Sequence, residues 1–143
     1  MDKKILLTIK GSHHSIEGEN SSIELITEGR LFTKDDIYYI EYEESEISGM
    51  QGTKTLISVQ DDSIMMERSG THSSQFWFEK GRKYINSYNT PFGVMQMEIY
   101  STKVKHDLND SEGKLDLKYQ LALKGSYASN VYFTLFNILK CNG

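Results

Sequence analysis

Residues 114–124 read KLDLKYQLALK, with Leu115, Leu117, Tyr119, Leu121 and Leu123 at every second position and Lys114, Asp116, Lys118, Gln120 and Ala122 between them. Successive side chains of a strand point to opposite faces, so this alternation predicts a β-strand with one dry face and one wet face. Outward from it in both directions, short runs rich in β-branched and aromatic residues recur between polar breaks. They fall at 4–9, 23–33, 37–43, 55–60, 63–68, 75–79, 82–88, 93–104 and 130–139, which makes about ten strands. Helical spacing is nearly absent. The last run, NVYFTLFNILK at 130–140, is apolar on both parities. Its Val, Tyr, Phe and Thr favour a strand buried on both sides over the alternative, a short helix plugging one end.

The breaks carry turn chemistry at 17–20, 33–36, 61–62, 70–72, 80–81 and 109–113. Connections this short pair successive strands antiparallel, because parallel pairing needs crossovers of a dozen or more residues. Closing the resulting meander removes exposed sheet edges. The expected fold is therefore all-β: a single antiparallel meander β-barrel of about eight to ten strands, one domain over residues 1–143.

Bulk properties narrow the function. A chain of 143 residues with nine Tyr, six Phe and one Trp can bury a core without disulfides or a structural metal. Sixteen basic against twenty acidic residues give a net charge of -4, with no basic stripe to follow a phosphate backbone, so no nucleic-acid partner is expected. No run approaches the ~18 apolar residues of a membrane-spanning helix, and the apolar patch at Ile5–Leu7 is too short for a secretory signal. With one cysteine, Cys141, the chain has no disulfide framework. A cytoplasmic location and no membrane partner are the expectation.

The stretch GMQGTKT at 49–55 invites comparison with a phosphate-binding loop. Such a loop needs G-x-x-x-x-G-K-[ST] followed by a helix whose N-terminus faces the phosphates. Here the glycine spacing is different, and the residues that follow, LISVQ, read as a strand. The stretch is expected to be a loop at one barrel mouth.

That loop belongs to a wider pattern. YEESEISGMQGTKT at 42–55, ERSG at 67–70, FEKG at 78–81 and YNTPFG at 88–93 occur in an order, across nearly the whole chain, that resembles the YwiB-like family of small bacterial proteins of uncharacterised function. The resemblance implies a calycin-like, lipocalin-like antiparallel barrel in a bacterial cytoplasm. It brings no activity and no catalytic residue.

Barrels of this size can enclose one small ligand, so the inward polar residues matter most. Parity puts Arg68 on the face of Ile64 and Met66, Tyr42 on the face of Tyr38 and Ile40, and Thr53 and Thr55 on the face of Ile57 and Val59. Glu43 flanks the glycine loop, Tyr88 flanks the turn at the single proline, Pro91, and Tyr119 lies within the cleanest strand. An inward arginine with tyrosine and threonine hydroxyls suits a carboxylate or phosphate head group. The alternative is that Arg68 snorkels to the rim or pairs with a glutamate. His13, His14, His72 and His106 read as loop histidines rather than as metal ligands, and no metal or cofactor is expected. There is no G-x-S-x-G elbow, so no catalytic residues are assigned. The expected function is non-enzymatic binding of a small amphipathic or anionic molecule. The alternative is a protein-interaction or homodimerisation module with a packed barrel, while a hydrolase or isomerase acting at the mouth has no recognisable constellation behind it.

Overall fold

The computed structural model describes residues 2–14, 18, 20–44, 51–70, 73–90, 93–109, 112–123 and 130–140; at 2, 88–90, 95, 123, 130–137, 139 and 140 it describes the backbone alone. These residues form ten strands: β1 (Asp2–His14), β2 (Asn20–Lys34), β3 (Ile37–Glu43), β4 (Thr53–Val59), β5 (Ser63–Gly70), β6 (Ser74–Glu79), β7 (Lys83–Thr90), β8 (Gly93–Leu108), β9 (Glu112–Leu123) and β10 (Asn130–Lys140). No helix occurs among them. The C-terminal segment is thus the strand its β-branched and aromatic residues favour, and the helical plug is ruled out.

All ten strands lie in one sheet in the order β6-β5-β4-β3-β2-β1-β10-β9-β8-β7, and every ladder is antiparallel. This is an up-and-down meander whose first and last strands pair, with Leu7 opposite Ile138. The sheet curls into a half-barrel, and its two ends, β6 and β7, are consecutive in the chain.

These ends meet through few backbone bonds. Lys80 bridges Ser101 on β8, and the Gly81 N–H donates to the Ser101 carbonyl at 2.8 Å. Side chains add to the seam: Trp77 stacks on Tyr84 at 6.1 Å, and the Tyr84 hydroxyl donates to Glu79 at 2.7 Å, which raises the Tyr84 pKa. Inside, Phe78 of β6 meets Tyr119 of β9 with ring centroids 4.8 Å apart, joining strands from opposite halves of the meander. At the rim, His106 of β8 lies 3.0 Å from the Asp61 carbonyl in the β4–β5 turn.

Alternation fills the interior. Ile5, Leu7, Leu31, Ile40, Ile57, Ile64, Phe78, Ile99, Leu115, Leu117 and Ile138 are all essentially inaccessible to solvent. One row across five strands runs Leu31, Ile40, Ile57, Met66 and Phe76, each opposite the next, so the dry faces coincide. A slip of one residue in any ladder would turn that strand's apolar set outward.

The first two strands run longer than their apolar patterns suggest. β1 continues through Lys10–His14 and β2 begins at Asn20, where His14 Nδ1 lies 2.7 Å from Asn20 Oδ1. Three histidines expected in loops therefore lie in strands, His13 and His14 in β1 and His106 in β8. Ladder hydrogen bonds hold these polar ends extended without help from a buried face. His72 and Cys141 fall outside the described residues.

Candidate functional site at the β3–β5 mouth

One row above the apolar row just described, the same register brings polar residues together. Tyr42 of β3 faces Thr55 of β4, and Thr55 faces Arg68 of β5. The next inward position on the β3 side is Glu44, whose backbone N–H donates to the Thr53 carbonyl at 2.8 Å. Glu44, Thr53 and Thr55 are buried, as is Tyr42.

The side chains converge on the Glu44 carboxylate. Thr55 Oγ1 donates to Glu44 Oε1 at 2.7 Å, and Arg68 Nε lies 3.7 Å from the same oxygen. The Arg68 side chain keeps 20% exposure against 3% for Glu44, so the arginine forms the outer lip and the glutamate the floor. The Arg68 guanidinium also stands 5.7 Å from the centre of the Phe76 ring. At 3.7 Å the Nε contact is an ion pair but too long for a hydrogen bond, and Nε has no hydrogen-bond partner among the described residues.

Tyr42 completes the group. Burial is the largest cause holding its hydroxyl protonated above the ordinary tyrosine range. The negative charge of Glu44 works in the same direction, and Arg68 works against it. The hydroxyl is hydrogen-bonded with Glu44 and Thr55. A buried carboxylate thus has a hydroxyl donor on each of two strands and a cation on a third, which is how a protein tolerates charge in low dielectric.

Glycines make this mouth possible. Gly52 adopts a φ of 84°, and Gly70 one of 108°; a Cβ on Gly70 would collide with the Gly52 carbonyl oxygen. In GMQGTKT, the second glycine therefore turns the chain into β4 and lets β5 approach closely. Residues 45–50, including Gly49, lie outside the described set.

Of the residues singled out from sequence, Tyr42, Thr53, Thr55 and Arg68 are brought together. Glu43 is exposed on the outer face, as alternation after Tyr42 requires. Tyr119 is interior but sits away from this group, against Phe78, which in turn stacks on Phe76 at 6.4 Å. Tyr88 pairs with Met95 through the backbone, and its side chain lies outside what is described. The acid that organises the cluster, Glu44, was not among them. The signal that finds it is the series Tyr38, Ile40, Tyr42, Glu44, the same alternation carried one step past the last apolar residue.

Between β2 and β3, a pocket of ≈ 310 Å³ is lined by Thr27, Glu28, Gly29, Arg30, Glu41, Tyr42, Glu43 and Lys54. Among the described residues, no group of three or more His, Cys, Asp or Glu side chains is placed to hold a metal ion, and no helix is long and apolar enough to cross a membrane.

A ten-stranded antiparallel meander curled around an apolar core, with a polar cluster at one mouth, defines an up-and-down β-barrel. The chain belongs to the family described as "Domain of unknown function (DUF1934)", which matches residues 7–135. It is 25% identical over 105 residues to the uncharacterized β-barrel protein YwiB of Bacillus subtilis (strain 168), covering 73% of this chain and 72% of that one. Its fold also superimposes on the crystal structure of the B. subtilis ywiB protein with a TM-score of 0.87, at 20% identity, over 99% of this chain and 94% of that one.

Proposed function

We propose that the protein binds a small amphipathic anion at the β3–β5 mouth, with Arg68 as the head-group anchor. The observation that carries this reading is the buried Arg68 Nε, a charged donor at the lip of the barrel with no hydrogen-bond acceptor among the described residues. Leaving such a donor unsatisfied costs about 1–3 kcal/mol, and a ligand carboxylate or phosphate oxygen would relieve it. Glu44 already balances most of the arginine charge, so the fit is to a singly charged head group rather than to a polyanion. Ile40, Ile57 and Ile64 fill the barrel below. An apolar tail would therefore lie against the Phe76 ring beside the Arg68 guanidinium instead of threading the lumen.

Decanoate and the uncharged decanol serve as probes in an amide NMR titration. The expected result is saturable decanoate shifts at Thr55, Arg68 and Phe76, at least tenfold weaker binding of decanol, and a similar loss in the Glu44→Gln/Arg68→Met double variant. Decanoate binding that is unchanged in that variant, or absent from the wild type, overturns the reading. Native mass spectrometry of protein purified from its own host would show whether such a ligand travels with it.

A second reading, a homodimerisation module, is favoured by Ile85 and Val94. These are 61% and 68% exposed on the outer face of β7 and β8, beside the sheet end that carries no ladder. Such an edge invites pairing with a second copy. Sedimentation equilibrium distinguishes the two: a dimer that Ile85→Lys converts to monomer supports this reading, and a monomer in the wild type removes it.

A further inference from the structure

We infer that the outer pocket beside β3 is a binding site for a small zwitterion of the α-amino acid or dipeptide class, with Glu43 taking its ammonium and Lys54 its carboxylate. Its two binding residues, Glu43 and Lys54, lie on the exposed outer face of the sheet while Arg68 faces inward, and the site does not depend on the ligand proposed for the mouth.

The pocket exists because two strands part. β2 pairs with β1 from Asn20 onward, yet its ladder with β3 begins only at Gly29, opposite Tyr42. Before that point, Thr27 and Glu28 lose their neighbour on the β3 side. Gly29 marks the closest approach: a Cβ there would come within 2.8 Å of the Glu41 carbonyl oxygen. Beyond it the gap widens into the ≈ 310 Å³ pocket, at the small end of the range for ligand sites.

Its charges are arranged unevenly. Three of its five charged lining residues are occupied, Glu28 with Lys4 at 3.2 Å, and Arg30 and Glu41 with each other at 3.6 Å. The remaining two, Glu43 and Lys54, are direct cross-strand partners on β3 and β4. Opposite charges in that position ordinarily close on one another. These do not: no ion pair joins them, and neither has a polar partner among the described residues. One carboxylate and one ammonium, side by side and unjoined at the edge of a pocket, present the complement of a molecule that carries both charges. A simple cation or a simple anion would satisfy one and leave the other facing a like charge. Both groups are exposed, so each contact is weak, and an affinity in the millimolar range is expected.

Glycylglycine is the test ligand, titrated into the full chain with amide NMR shifts as readout. N-acetylglycylglycine, which keeps only the carboxylate, and glycylglycinamide, which keeps only the ammonium, serve as controls. The inference expects saturable shifts confined to residues 27–30, 41–43 and 54, and binding of each control at least tenfold weaker. Glu43→Gln and Lys54→Met should each cause a similar loss, and both surface variants should fold normally. The Glu44→Gln/Arg68→Met variant should bind glycylglycine as the wild type does, which separates this site from the mouth. Absent saturation, equal binding of either control, or shifts centred elsewhere overturns it.

Discussion

Thr55 and Arg68 face each other across β4 and β5, and both reach the same atom, Oε1 of Glu44, the hydroxyl at 2.7 Å and the guanidinium Nε at 3.7 Å. The register of two ladders thus determines an electrostatic arrangement. With Tyr42 on the third strand, the group is nearly closed upon itself, and Arg68 Nε is its buried donor without a hydrogen-bond partner among the described residues. Stability and charge balance are therefore coupled at this mouth.

That coupling predicts non-additive mutants. Arg68→Met removes the cation and leaves Glu44 buried without its ion pair, for which the full penalty of a broken buried pair is about 3–5 kcal/mol. Because Arg68 is 20% exposed, solvent screens part of this, and a loss of about 2 kcal/mol is expected. Glu44→Gln should cost a similar amount. The double variant should be at least 1 kcal/mol more stable than the sum of the single losses implies, as urea denaturation would show. Additive losses would mean that the two side chains do not interact.

Phe78 and Tyr119 are the other pair on which the architecture depends. Phe78 is 2% exposed, so Phe78→Ala opens a cavity in the filled interior and is expected to cost about 3–5 kcal/mol. Their centroid separation of 4.8 Å and tilt of 54° suit an aromatic pair, worth about 0.5–1.5 kcal/mol beyond burial. A double-mutant cycle with Tyr119→Leu should return a coupling of that size. A coupling near zero would mean that β6 and β9 do not meet inside the barrel.

Gly70 offers a backbone test. Any side chain there must adopt a φ of 108° and meet the Gly52 carbonyl oxygen. Gly70→Ala should cost about 1–3 kcal/mol, with amide shifts at Gly52 and Thr53, whereas Gly18→Ala, with open space around it, should leave those amides unmoved. Equal perturbation of the mouth by the two variants would count against the close approach.

Much of this was legible in the sequence, and the exceptions have a common cause. Runs rich in β-branched and aromatic residues located all ten strands, the last by propensity alone, and period-two alternation marked the dry face of the others. The same parity places Arg68, Tyr42, Thr53 and Thr55 inward, with pairing to a glutamate as the alternative role of Arg68. What it missed lies where polarity and direction disagree. Glu44 is an acid on the inward parity, so hydropathy alone points it to solvent while continued alternation turns it inward. Glu43, its neighbour, is correspondingly outside. The polar ends of β1 and β2 are held by ladder bonds, which side-chain patterning does not report. The parting of β2 from β3, and with it the outer pocket, depends on which ladder stops where, information that resides in pairs of strands and in neither one alone.

Tyr42 predicts how the mouth responds to alkali. In the unfolded chain its hydroxyl titrates near about pH 10; in the folded chain, burial first and Glu44 second keep it protonated to higher pH. Between those two values the native state binds more protons than the unfolded one, so stability must fall as pH rises. The contribution is fully present below about pH 10 and is lost progressively above it. Tyr42→Phe removes the titrating group and, by taking one donor from Glu44, should cost about 1–2 kcal/mol at pH 8. It should then lose stability less steeply than the wild type between pH 9.5 and 11, so that the difference between them narrows. Urea denaturation at half-unit pH steps measures this directly, and a difference that stays constant or widens across that range would show that the Tyr42 hydroxyl is not held as described.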